Sequence, residues 1–208
     1  MNEIDFIARW LHLLFGITWI GMLYYFNFVQ GGYFKSASAE GLADAKEKLA
    51  PSALWWFRWG AMLTFITGFY LLMSLGKTIS GNSYILVGAL MGTIMFLNVW
   101  IIIWPAQRIA LGMKEGDGPA AAAKALLASR TNTLFSGPMV FFMLASAHKQ
   151  QLIGGLLLDT GFYIAIAIVL LLEVNAIIGK QGPIASVKGV IHCSIALTAV
   201  LALILHYI

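Results

Sequence analysis

Residues 84–104 read YILVGALMGTIMFLNVWIIIW, a run without a single charged side chain. At about 1.5 Å of rise per residue, a helix of this length crosses a hydrocarbon core of about 30 Å. Five further apolar runs are of comparable or greater length, over residues 4–29, 55–75, 131–147, 153–178 and 184–207. Lipid offers backbone groups no hydrogen-bond partners, so such runs cross it as helices. The expectation is an all-α integral membrane bundle of six transmembrane helices, forming one domain over residues 1–208. There is no internal repeat and no separate soluble domain.

Composition agrees. Of 208 residues, 60% are hydrophobic and 11% charged, with a mean hydropathy of +0.84. A soluble domain carries about 25% charge, so this chain cannot coat a water-facing surface of its size. The net charge of +4 does not point to nucleic acid, because the basic residues are spread over the connections between apolar runs. Glu3 and Asp5 precede the first cation, Arg9, and no small-residue cleavage site follows. The first run therefore reads as a retained helix and not a signal peptide. The lone cysteine, Cys193, excludes an internal disulfide, a CxxC redox pair and covalent c-type haem attachment. It reads as a small packing residue in an apolar helix.

The connections set the orientation. Lys35, Lys46, Lys48 and Arg58 follow the first run, Arg108, Lys114, Lys124 and Arg130 the third, and Lys180 and Lys188 the fifth. Only Arg9, Lys77 and Lys149 fall on the other side. The positive-inside rule places the three basic connections in the cytoplasm and both termini outside the cell membrane. The two longer connections, residues 30–54 and 106–130, are Ala-rich and polar, and read as short amphipathic helices on the membrane surface. Pro105 is expected to close the third span. Trp55, Trp56, Trp59, Trp100 and Trp104 read mostly as a headgroup-level belt. Gly88 and Gly92 permit close helix packing.

Ionisable and amide side chains inside spans are costly, so each is a candidate for function. His12, His148 and His206 fall toward the outer side. Imidazole facing a bundle interior is a usual axial ligand of b-type haem; a histidine bonded to a backbone carbonyl is the plain alternative. His12, Gly16 and Trp19 are spaced four and three apart and share one helix face, where Gly16 leaves room for a flat macrocycle or for a packed helix. Arg58, Asn98, Asn132, Glu173, Asn175 and His192 form an inner group. Glu173 is the one acid well inside a span and needs a partner, for which Arg58 and His192 are the candidates. The group reads either as a structural ion pair or as a substrate pocket or proton path.

The strings WLHLLFGITWIGMLYYFNFVQ, WWFRWGAMLTFITGFYLL, NVWIIIWPAQR, SRTNTLFSGPMVFFMLASAH and LLEVNAIIG resemble the N-terminal membrane domain of the bacterial membrane-bound urate oxidase (urate hydroxylase) family. The likeness runs from His12 to about Gly179. It implies a membrane redox role and draws attention to His12, Trp19, Asn27, Arg58, Asn98, Asn132, His148 and Glu173. Longer members carry a cytochrome c domain that accepts electrons; this chain holds no CxxCH, so electrons are expected to pass to a separate acceptor, a cytochrome c or another carrier. The first span is also similar to the start of the haem-carrying membrane protoporphyrinogen oxidases, in a His followed by Trp and Gly.

The function expected is that of a membrane haem-b oxidoreductase or electron-transfer protein. His12 and His148 would be axial ligands beside Gly16 and Trp19; Arg58, Glu173 and His192 would be catalytic; Asn98, Asn132 and Asn175 would line the substrate or proton path. The alternatives are a non-enzymatic subunit of a larger membrane complex or homo-oligomer, and a small transporter.

Overall fold

The computed structural model describes residues 2–76, 82–148 and 159–208. Lys77, Lys149 and the expected start of the fifth span at Ile153 lie outside these residues. Among the described residues, 91% are helical and there is no strand. Six long helices follow one another: α1 (Glu3–Ser36), α2 (residues 39–74), α3 (Ser83–Ala110), α4 (Gly118–His148), α5 (Thr160–Ile178) and α6 (Val187–Tyr207), with a 3-10 turn at Gly182–Ala185 before α6.

Each helix starts on a side-chain cap. Asn2, Ser38, Asn82, Asp117, Asp159 and Ser186 accept hydrogen bonds from the backbone N–H groups of Asp5, Gly41, Ile85, Ala120, Phe162 and Gly189, at 2.8–3.2 Å. A short polar side chain at this position satisfies one of the donors that the first turn leaves unpaired.

Four helices, α1, α3, α5 and α6, are long and apolar enough to cross a membrane, which marks a multi-pass membrane protein. The other two are long enough but more polar. Of these, α4 is the most deeply packed helix of the bundle. Residues 128–136 are buried without interruption, including Ser129, Arg130, Thr131, Asn132, Thr133 and Ser136. It packs chiefly on α3 and α6, and also on α5 and α1. A helix shielded by its neighbours carries polar side chains because they bond to protein; a lipid-facing helix cannot.

The two surface helices expected between spans do not form separately. Residues 30–54 extend α1 and α2, broken only at Ala37 and Ser38, and residues 118–130 are the opening turns of α4. Strong helix formers such as Ala, Glu, Lys and Leu fill both stretches, so the helices run on. At 34 residues, α1 measures about 50 Å and outruns a hydrocarbon core of about 30 Å. Among the described residues the one ion pair, Lys48 with Asp44, lies in the opening turns of α2. The hydrogen bond to Asp44 and that carboxylate's charge hold the Lys48 ammonium above its ordinary range.

Pro105 does not end the third helix, which continues to Ala110. A π-helical segment, Asn98–Ile103, runs up to it, and another, Ala45–Leu49, leads to Pro51. Proline lacks an N–H and crowds the preceding carbonyl; a widened turn just before it accommodates both defects. A third π segment, Tyr25–Gln30, lies in α1.

Glycines set the closest helix contacts. In the antiparallel pair α1–α2, a Cβ on Gly60 would stand 3.2 Å from the Trp19 backbone nitrogen, and one on Gly68 2.7 Å from His12 Cε1. Between α3 and α4, Gly88 and Gly92 face Met139 and Met143, as the GxxxG spacing suggested. Gly60→Leu should destabilise the protein by about 1–3 kcal/mol through overpacking, read as a lower melting temperature in detergent. Gly21→Leu, where an added Cβ meets nothing within 4 Å, should leave it nearly unchanged.

Candidate functional site

Three helices converge on one polar constellation. Asn98 opens the π segment of α3, and its side-chain Nδ2 donates both to Asn132 Oδ1 on α4, at 2.9 Å, and to Glu173 Oε2 on α5, at 3.0 Å. Asn132 Nδ2 donates in turn to the Met95 carbonyl, at 2.9 Å. The result is a continuous chain of bonds from the α3 backbone to a carboxylate. Both asparagines are almost fully buried, and Glu173 is half-buried. Asn98 is the first residue of a π segment, and such segments often occur at functional sites.

Glu173 borders a cleft of about 260 Å³ with Asn98 and the side chains of Ile94, Leu97, Ile101, Ile102 and Ile177. The walls are apolar, so the carboxyl is the one ionisable group there. Its partner is an amide and not a cation. Arg58, which the sequence offered, stacks its guanidinium 3.9 Å from the Trp104 ring centre. His192, the other candidate, is exposed on α6. The expected ion pair to Glu173 therefore does not form: Arg58 turns toward the indoles, and Asn98 takes the carboxylate oxygen.

Asn175 lies two residues further along α5, on another face of the helix, with a separate task. Its side chain accepts from the Lys180 N–H and donates to the Lys180 carbonyl, at 3.3 and 3.0 Å, which caps the end of α5. It also lines a second, larger cleft of about 470 Å³ with Thr131, Cys193 and the 3-10 turn.

The outer histidines stay apart in their bonding. His12 Nδ1 donates to the Thr64 carbonyl at 2.9 Å and lies 3.1 Å from Thr67 Oγ1. A carbonyl only accepts, so the proton is on Nδ1 and the Nε2 lone pair is left unused. His148 bonds the Leu144 carbonyl of its own helix, and His206 packs edge-on to Tyr207; both are exposed. Among the described residues no group of three or more His, Cys, Asp or Glu side chains is placed to hold a metal ion. Gly16 faces Thr64 at ordinary contact distance, and Trp19 is buried against Gly60 with its Nε1 unpartnered; both belong to the α1–α2 seam.

The burial of Arg130 and the partner of Asn27 escaped sequence reading. Arg130, assigned there to a connecting loop, is 8% exposed inside α4, with Nε and Nη1 unpartnered. Asn27, in the π segment of α1, donates to Ser129 Oγ at 2.8 Å and to the Leu23 carbonyl at 2.9 Å. The signal was the polar run SRTNT at 129–133, too mixed for a lipid-facing helix and too short for a loop of its own.

Residues 74–176 match the family model described as urate oxidase N-terminal. The resemblance to that membrane-domain family is borne out over this segment, which holds Asn98, Asn132, His148, Glu173 and Asn175. His12, Arg58 and His192 lie outside it. No curated protein and no solved structure matches the chain.

Asn132→Leu removes the acceptor for Asn98 and the donor to Met95. It should cost about 1–2 kcal/mol, the range for hydrogen bonds between membrane helices, measured as a lower midpoint in detergent-induced unfolding.

Proposed function

We propose that this chain is a membrane-bound oxidoreductase of the urate oxidase kind that passes electrons to a separate acceptor, a cytochrome c or another carrier. The observation that carries the reading is Glu173, held by Asn98, which Asn132 holds in turn, at the border of an apolar cleft within the segment matching the family. Oxidation of urate releases protons together with electrons. A positioned carboxyl can take up such a proton, and the asparagine chain holds it in one orientation. The chain is further proposed to cross the bacterial cell membrane six times with both termini outside, following the ten-to-three distribution of its Lys and Arg.

Haem b is the proposed cofactor, and His12 is the residue that would hold it. Its donor set would suit a ligand to iron: Nδ1 is engaged by a carbonyl, a partner that orients a ligating imidazole, and Nε2 is without a hydrogen bond. Gly68 leaves the ring its space. When bound, the haem would supply one-electron transfer. His148, the second ligand suggested by sequence, has no bond in common with His12, so His12 alone supports the assignment.

A second reading is a non-catalytic subunit of a larger membrane complex, whose partners and the lipid would share the outward apolar faces of α1 and α2. Ile7, Trp10, Leu13, Ile17, Ile66 and Phe69 are all more than half exposed. Stoichiometric co-purification of partner subunits, with no turnover by the chain alone, would select it.

Purified protein supplied with haem during expression should show a Soret band, and His12→Ala should abolish or shift it; a colourless wild-type protein rules out the haem. With urate and an artificial electron acceptor, Glu173→Gln should lower turnover by about 10²-fold or more, the usual contribution of a positioned acid or base. Full activity of a folded Glu173→Gln protein would remove Glu173 from the mechanism.

A further inference from the structure

Arg58 is left without a role at Glu173, and its surroundings suit another. Its guanidinium carbon lies 3.9 Å from the centre of the Trp104 ring and 6.0 Å from that of Trp100. Arg108, one turn beyond Trp104 on α3, places its own guanidinium 5.9 Å from the same Trp104 ring. Two cations thus share one indole, no farther apart than the roughly 10 Å over which 0.1 M salt screens charge. Neither has a carboxylate within ion-pair distance, since the one ion pair among the described residues is Lys48 with Asp44. Two buried donors of the cluster, Arg58 Nε and Trp100 Nε1, have no acceptor. Like charges held together with unused donors lack one component, an anion with several acceptor oxygens.

The depth of the cluster says which anion. Trp59 packs edge-on to Trp100 at 5.7 Å and continues into Trp55 and Trp56. These three indoles are 38–57% exposed, and exposed tryptophans collect at the level of lipid headgroups. In the orientation proposed above, this belt is on the cytoplasmic side, where basic pockets between helices bind anionic headgroups.

We propose that Arg58 and Arg108, stacked on Trp104 beside Trp100, bind the phosphate of an anionic phospholipid headgroup. Arginine meets phosphate oxygens with a planar fork of donors while its flat face rests on an aromatic ring, and here the rings are already under both side chains. The site is separate from the Glu173 cleft and does not depend on the oxidoreductase reading.

The test uses the full chain, stripped of lipid in detergent and reconstituted into nanodiscs of phosphatidylcholine with or without phosphatidylglycerol. Native mass spectrometry and tryptophan emission report bound lipid. The expected result is retention of phosphatidylglycerol over phosphatidylcholine, weakened about fivefold for each arginine removed in R58Q and R108Q and unchanged in K114Q. R108Q alters an exposed side chain and keeps the test readable if R58Q does not fold. Inorganic phosphate in phosphatidylcholine discs separates the sources. If free phosphate binds as well as the lipid does, or if R108Q retains phosphatidylglycerol like the wild type, the headgroup assignment is overturned.

Discussion

The structure depends on how one helix hides its polar side chains. α4 carries Ser129, Arg130, Thr131, Asn132 and Thr133 in succession and then Ser136, a sequence that lipid would penalise. The bundle answers by surrounding it. α3 and α6 take most of its surface, α5 and α1 the rest, and the amides find partners on those neighbours. Asn132 bonds to α3, and Asn27 of α1 reaches Ser129. Hydropathy alone therefore ranks α4 among the weakest membrane helices, although it is the one the others pack around.

Departures from regular helix supply the remaining geometry. The π segment begins at Asn98, whose side chain bonds two other helices, and leads into Pro105 without ending α3. Gly60 and Gly68 let α1 approach α2 closely enough for the His12 ring to lie on a bare backbone and bond a carbonyl one turn away. In both places a residue usually counted as a helix breaker is what allows a polar group its partner.

The inner polar residues divide into two chemically distinct neighbourhoods. Glu173 has an amide for a partner and apolar walls around it, a setting suited to a proton. Arg58 and Arg108 have aromatic faces beneath them and no anion nearby, a setting suited to an oxyanion. Had Arg58 paired with Glu173, each would have neutralised the other, and neither setting would exist.

Helical membrane architecture was legible in the sequence because it rests on local composition: uncharged runs near 20 residues have no other stable form in lipid. Asn98, Asn132 and Glu173 stood out for a related reason, the cost of placing an amide or acid in a span, and the structure joins all three by hydrogen bonds. The partners were not legible. Whether Glu173 meets Arg58, His192 or Asn98 depends on helix rotation, and a π segment changes that rotation without a distinct sequence signature. The burial of Arg130 and the uninterrupted start of α4 also escaped, since a polar Ala-rich stretch reads alike on a membrane surface and in a bundle centre. Composition decides that helices form; only packing decides which of their faces are hidden, because burial belongs to pairs of helices and not to one.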